Sequence, residues 1–154
     1  MRINWRTVCL LFVLALTLSS TVIGAGEQVT IYKISSCSCC KMWMEHLREN
    51  GFRVLAHDVP NTAPYRQKYG VPETLQSCHT AVVETYVVEG HVPAREIRRI
   101  VKERPAVTGL AVPGMPLGSP GMEPPKSSRR DAYSVVLFAP GAKPSVYQAY
   151  PASE

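Results

Sequence analysis

The 154-residue sequence predicts a mixed α/β domain, and three observations carry that expectation. Short segments with apolar residues at every second position alternate with segments whose apolar residues recur at helical spacing. Glycine or proline punctuates the junctions between them. Three cysteines within four residues, Cys37-Ser38-Cys39-Cys40, stand where the first predicted strand turns into the first predicted helix.

The elements can be justified in order. Gln28 to Ile34 sets Val29, Ile31 and Ile34 among polar neighbours and reads as a strand that ends at Ser35-Ser36. From Cys40, Trp43, Met44 and Leu47 recur on one side and Lys41, Glu45, Arg48 and Glu49 on the other, with Gly51 as the stop of a helix. Phe52 to His57 reads as a second strand, and Thr62 to Tyr69 as a short helix closed by Gly70. Thr80 to Val83 and Tyr86 to Val88 form a predicted hairpin, and Pro93 to Arg104 a helix with Ile97, Ile100 and Val101 inward and Pro105 at its end. Residues 105–132 read as an irregular loop: from Leu110 to Pro125, Pro113, Pro116, Pro120, Pro124 and Pro125, with Gly114, Gly118 and Gly121, rule out regular structure. Tyr133 to Ala139 and Ser145 to Tyr150, split by Pro140-Gly141-Ala142-Lys143-Pro144, make a terminal hairpin over 133–150.

The N-terminus sets the compartment. Arg2 and Arg6 precede an apolar run from Val8 to Leu18, and small residues lead to Gly24-Ala25-Gly26, the order of a secretory signal peptide. Residues 1–25 are therefore read as a signal and residues 26–154 as one exported, periplasmic domain. Cys9 lies at the start of the apolar run and leaves with it. The run is short for a membrane span and no second one follows, so no membrane association is expected after cleavage. Loss of Arg2 and Arg6 lowers the net charge from +5 to +3, and no basic run is long enough to suggest a nucleic-acid face.

The order β-α-β-α-β-β-α, with cysteines at the start of the first helix, is the layout of a thioredoxin-like domain. Asp58, Pro60 and Asn61, then Lys68-Tyr69-Gly70-Val71, resemble the stretch that leads thioredoxins into their cis-proline loop. On that alignment Cys78-His79-Thr80 falls where a thioredoxin has residue-Pro-Thr, and the proline is missing. Cys78 and His79 should then face Cys37, Cys39 and Cys40 across one small pocket.

Backbone N–H groups and the helix dipole at a helix start favour thiolate, which serves both nucleophile and metal ligand. Cys37 and Cys40 satisfy the C-x-x-C spacing of a redox pair, leaving Cys39 surplus and prone to scramble a disulfide. Three sulfurs on one turn, with Cys78 as a fourth, suit the bridging of several soft ions. Cu(I) fits such a set; zinc is the second choice, because structural zinc sites usually join two Cys-x-x-Cys knuckles and this chain has one. Two structural disulfides, the default in an exported protein, fit poorly where three cysteines crowd one turn.

The other candidates divide more evenly. His79 is either a ligand or proton carrier, or a filler of the space the proline would take. His91 reads first as a surface histidine and second as a ligand, in a loop that borders the pocket. His46 and His57 read as ordinary helix-surface and strand-end residues, and Met42 and Met44 as core. Met115 and Met122, in two Gly-Met steps of the loop, are equally soft ligands or the packing of a flap.

Cys37-Ser-Cys-Cys40, Trp43 through Gly51, Leu75-Gln-Ser-Cys-His-Thr-Ala81, Glu89-Gly-His-Val-Pro93 and Gly109 through Met122 resemble the CopG-like family. That resemblance, which runs from about Val29 to Glu123, implies an exported metal-binding protein with a thioredoxin-like fold in bacterial copper resistance, and implies Cys37, Cys39, Cys40 and Cys78 as ligands. The expected function is periplasmic copper handling, with Cu(I) on a polynuclear thiolate cluster and with or without thiol redox. Its partners would be other periplasmic copper-resistance proteins or a thiol reductant. The alternative is a metal-free thiol-disulfide oxidoreductase acting on exported proteins through Cys37 and Cys40.

Overall fold

The computed structural model describes residues 26–123 and 129–153, so the predicted signal lies outside the described residues, as do Pro124 and Pro125 of the loop. Alternation along β1 (Gln28–Lys33) buries Val29 and Ile31 in one core with Trp43, Met44 and Leu47 of α1 (Ser38–Glu49). Cys37 caps α1: its Sγ accepts from the Cys40 backbone N–H at 3.3 Å, so a cysteine fills the place that serine or aspartate usually takes. The helix closes as Gly51 N–H donates to Arg48 O (2.8 Å) and Phe52 N–H to Leu47 O (3.1 Å), with Gly51 at φ +81°. That left-handed closure is the stop the sequence predicts. Met42 departs from its core reading. It is 51% exposed, because the buried stripe runs through Cys40, Trp43, Met44 and Leu47 and leaves it on the outer side.

After β2 (Arg53–Asp58) come α2 (Ala63–Lys68), a 3-10 turn (Glu73–Leu75), β3 (His79–Val83), β4 (Tyr86–Glu89) and α3 (Ala94–Glu103). The predicted β-α-β-α-β-β-α order is present. β1 pairs parallel with β2 and antiparallel with β3, and β3 antiparallel with β4. Val88 faces a core shared with α1 and α3, while its neighbour Val87 faces a second cluster with Val71, Leu75 and Phe138. The period-2 alternation of a strand thus serves both faces of one sheet.

The segment assigned to an irregular loop holds a strand the sequence reading missed. β5 (Gly109–Ala111) runs parallel to β4, and β6 (Tyr133–Phe138) and β7 (Ser145–Tyr150) follow it, giving a seven-stranded sheet ordered β2-β1-β3-β4-β5-β6-β7. Three residues are too few to show periodicity. A Cβ on Gly109 would stand 1.9 Å from Val87 O, so only glycine allows this close pairing. The terminal hairpin is therefore an extension of the main sheet. Its tyrosines dock on α3, where the Arg99 guanidinium lies 3.5 Å from the Tyr147 ring centroid and that of Arg95 4.9 Å from Tyr150.

Candidate metal centre

The N-terminal turn of α1 carries Cys37, Cys39 and Cys40, and the irregular segment between the 3-10 turn and β3 carries Cys78. The four sulfurs lie within 4.8 Å of one another. Cys37 and Cys40 are joined as a disulfide, with Cα atoms 5.4 Å apart, while Cys39 and Cys78 are free. Cys39 Sγ approaches Cys37 Sγ at 3.5 Å, and Cys40 Sγ lies 4.0 Å from Cys78 O. The cysteine turn and the Cys78 segment thus face each other at the distance of their sulfurs.

Cys78, His79 and His91 make a second group of ligand atoms within 4.8 Å, so Cys78 belongs to both. Its Sγ is 2.9 Å from His91 Nε2 and 3.3 Å from His79 Nδ1. On its other side His91 Nδ1 lies 2.7 Å from Pro120 O. A carbonyl only accepts, so Nδ1 carries the proton and Nε2 turns its lone pair toward Cys78. His91 is fully buried, which corrects its reading as a surface histidine: the tight Glu89-Gly90-His91 corner folds its ring under the loop that carries Pro120. His79 is buried too, with its ring centroid 4.2 Å from that of Trp43, and its Nε2 has no hydrogen-bond partner among the described residues. It fills space and offers Nδ1 to Cys78 at once.

Burial sets the protonation of this corner. Desolvation, then the neighbouring Cys39, pushes the Cys78 thiol up to about 12, so Cys78 is a neutral thiol near pH 7 and a metal must displace its proton. Desolvation first, then mutual repulsion with His91, holds His79 well below the ordinary histidine range. His91 is lowered for the same leading reason. Both rings are neutral, the form that ligates.

The proline-glycine loop roofs the turn. A Cβ on Gly121, at φ +82°, would lie 2.6 Å from Trp43 N and 2.9 Å from Cys39 O. Gly121→Ala should therefore lift the loop from the cysteines and cost about 1–3 kcal/mol, the range for a non-glycine held in a left-handed conformation. Thermal unfolding checks the cost; an unchanged melting temperature would mean that the loop is not seated there. Met122 is half-buried, its backbone hydrogen-bonded to Gly118 and Ser119, whereas Met115 is 54% exposed. His46 has a capping duty: its Nε2 accepts from the Ala94 N–H at the start of α3. His57 is exposed and stacks on Tyr32.

Sequence reasoning passed over the ion pair that binds Ser77 and Thr80, on either side of Cys78 and His79. Glu89, buried at the end of β4, and Arg66 of α2 form an ion pair at 3.0 Å against the segment before β3. The available signal was a lone acid closing the apolar run Tyr86-Val87-Val88.

A family described as "Protein of unknown function, DUF411" matches residues 75–122. Two solved structures, titled "Copper resistance protein copG" in Form 2 and Form 1, are each 41% identical to the chain with a TM-score of 0.76. The matches cover 82% of this chain and 99% and 98% of theirs. No curated protein matches the chain.

Proposed function

The chain belongs to the family of CopG copper resistance proteins, and on that premise we propose that it is a periplasmic copper-handling protein holding Cu(I) on a cysteine thiolate cluster. The observation that carries this reading is the membership of Cys78 in both ligand groups. A thiolate shared by two sets of donors is suited to bridge ions, and thiolate with imidazole is a soft donor set that favours Cu(I) over hard cations. Zinc needs one closed tetrahedron and has no use for the remaining donors. The periplasmic assignment rests on the N-terminal signal pattern and on the compatibility of a disulfide with an oxidising compartment.

Copper loading through all four sulfurs requires the Cys37–Cys40 bond to open. Two electrons and two protons from a dithiol reductant convert that disulfide to two thiols, the reductant becoming a disulfide; on binding Cu(I) the thiols would release their protons to solvent. In the reverse exchange a disulfide acceptor takes two electrons from the Cys37 and Cys40 thiolates and two protons from solvent, leaves as a dithiol, and the re-formed Cys37–Cys40 bond would release the metal.

A second reading, a metal-free thiol-disulfide oxidoreductase, draws on the disulfide at the start of α1. Cys39 separates the two, since exchange between Cys37 and Cys40 has no need of it. Cys39→Ser should leave insulin reduction intact and lower the Cu(I) bound per chain in anaerobic titration, with weaker thiolate-to-copper ultraviolet absorption. Unchanged loading with insulin reduction retained would select the oxidoreductase; one zinc per wild-type chain with no copper retained would sink the copper reading.

A further inference from the structure

Cys78 sits on a stretch of chain with no ladder of its own. It follows a 3-10 turn and precedes β3, and its immediate predecessor, Ser77, has both backbone polar groups held by side chains. Ser77 N–H donates to Glu89 Oε1 at 2.8 Å, and Ser77 O accepts from the Arg66 guanidinium. Arg66 Nε in turn donates to the same Glu89 oxygen at 3.0 Å. On the far side of the Cys78-His79 pair, Thr80 Oγ1 donates to Glu89 Oε2 at 2.7 Å. One carboxylate therefore grips the residue before Cys78 and the residue after His79. Thr80 and Glu89 stand directly opposite in the β3–β4 ladder, which fixes the height of the grip relative to the sheet.

We propose that the ion pair between buried Glu89 and half-buried Arg66 is a positioning device that sets the Cys78 thiol by clamping both backbone groups of Ser77. The proposal rests on Cys78 being a copper ligand, as argued above. Stability alone is a poor account of the pair, because a buried ion pair is often matched by apolar residues of similar volume. Geometry is a better one. Gly90 adds to the grip from behind: at φ +73° it has no Cβ, and one placed there would lie 2.6 Å from Ser77 Oγ and from Val112 O. Ser77 Oγ also donates to Gly114 O at 2.5 Å, tying the clamped residue to the roof loop. A thiol so placed keeps its 2.9 Å approach to His91 Nε2 without relying on the metal to hold it.

Arg66→Lys tests the clamp with the least disturbance, because it keeps the charge beside Glu89 and removes the fork that also reaches Ser77. Glu89→Gln removes the charge and one acceptor. Two measurements are made on each folded variant. The first is the rate of iodoacetamide alkylation at Cys78, resolved by peptide mass spectrometry in metal-free full-length chain. The second is Cu(I) affinity by anaerobic competition with a chromophoric chelator, in wild-type and Cys78→Ser backgrounds. Both variants should alkylate Cys78 several-fold faster and bind Cu(I) about 10- to 100-fold more weakly, the usual cost of losing an outer-shell partner. In the Cys78→Ser background the same substitutions should change Cu(I) affinity little. Alkylation at the wild-type rate overturns the proposal, as does wild-type copper affinity, or an equal loss of affinity with and without Cys78. If Glu89→Gln does not fold, Arg66→Lys decides. Wild-type protein that binds no Cu(I) would refute the copper reading, while the alkylation rates would still judge the clamp.

Discussion

Cys78→Ser should remove more bound copper than any other single substitution in the chain. The sulfur is common to the three-cysteine turn and to the histidine pair, so its loss takes a donor from both groups. A serine oxygen is hard and does not replace it. The expected result is at least one Cu(I) fewer per chain and a loss of affinity beyond the about 10- to 100-fold that follows loss of a supporting hydrogen bond. The Cys37–Cys40 disulfide, built wholly on the α1 turn, should still form. Chelator competition under anaerobic conditions measures the first and thiol counting the second. Copper loading equal to wild type would mean that Cys78 is structural and that the two groups are not joined through it.

Trp43→Ala should produce the largest fall in stability. The indole is fully buried, packs beside His79 and donates Nε1–H to Val92 O at 2.9 Å. Truncating a buried aromatic to alanine costs about 3–5 kcal/mol. For a chain of this length that corresponds to a melting temperature lower by roughly 6–20 °C. Trp43→Phe keeps a ring against His79 while losing the bond to Val92 and should cost less. Circular dichroism melts of the apo-protein measure both, and a fall of only a degree or two for the alanine variant would show that the floor of the site is held by something else.

Much of this architecture is legible in the residues. Gly51 and Gly70 mark helix stops because a left-handed closure leaves few other choices, and the Cys37 turn announces itself by density. The placement of Cys78 opposite that turn follows from connectivity once the helices and strands are ordered. What escapes is whatever depends on tertiary approach. β5 is three residues long and exists because Gly109 allows Val87 to come close, which no local pattern records. His91 looks like a loop residue until the chain from Pro116 to Gly121 folds over it. Glu89 shows the same limit more sharply, since a carboxylate's burial is decided by Arg66, 23 residues earlier in the chain.

The site is assembled from stretches that meet only in the finished fold: the turn at Cys37, the segment at Cys78, the corner at His91 and the roof at Pro120. An ion held among them acts as a rivet, since the unfolded chain offers no comparable set of donors. By mass action a ligand at a thousand times its dissociation constant adds about 4 kcal/mol to the folded state. Loaded protein should then survive proteases that clear the empty form, so that its abundance would follow the supply of copper with no change in its synthesis.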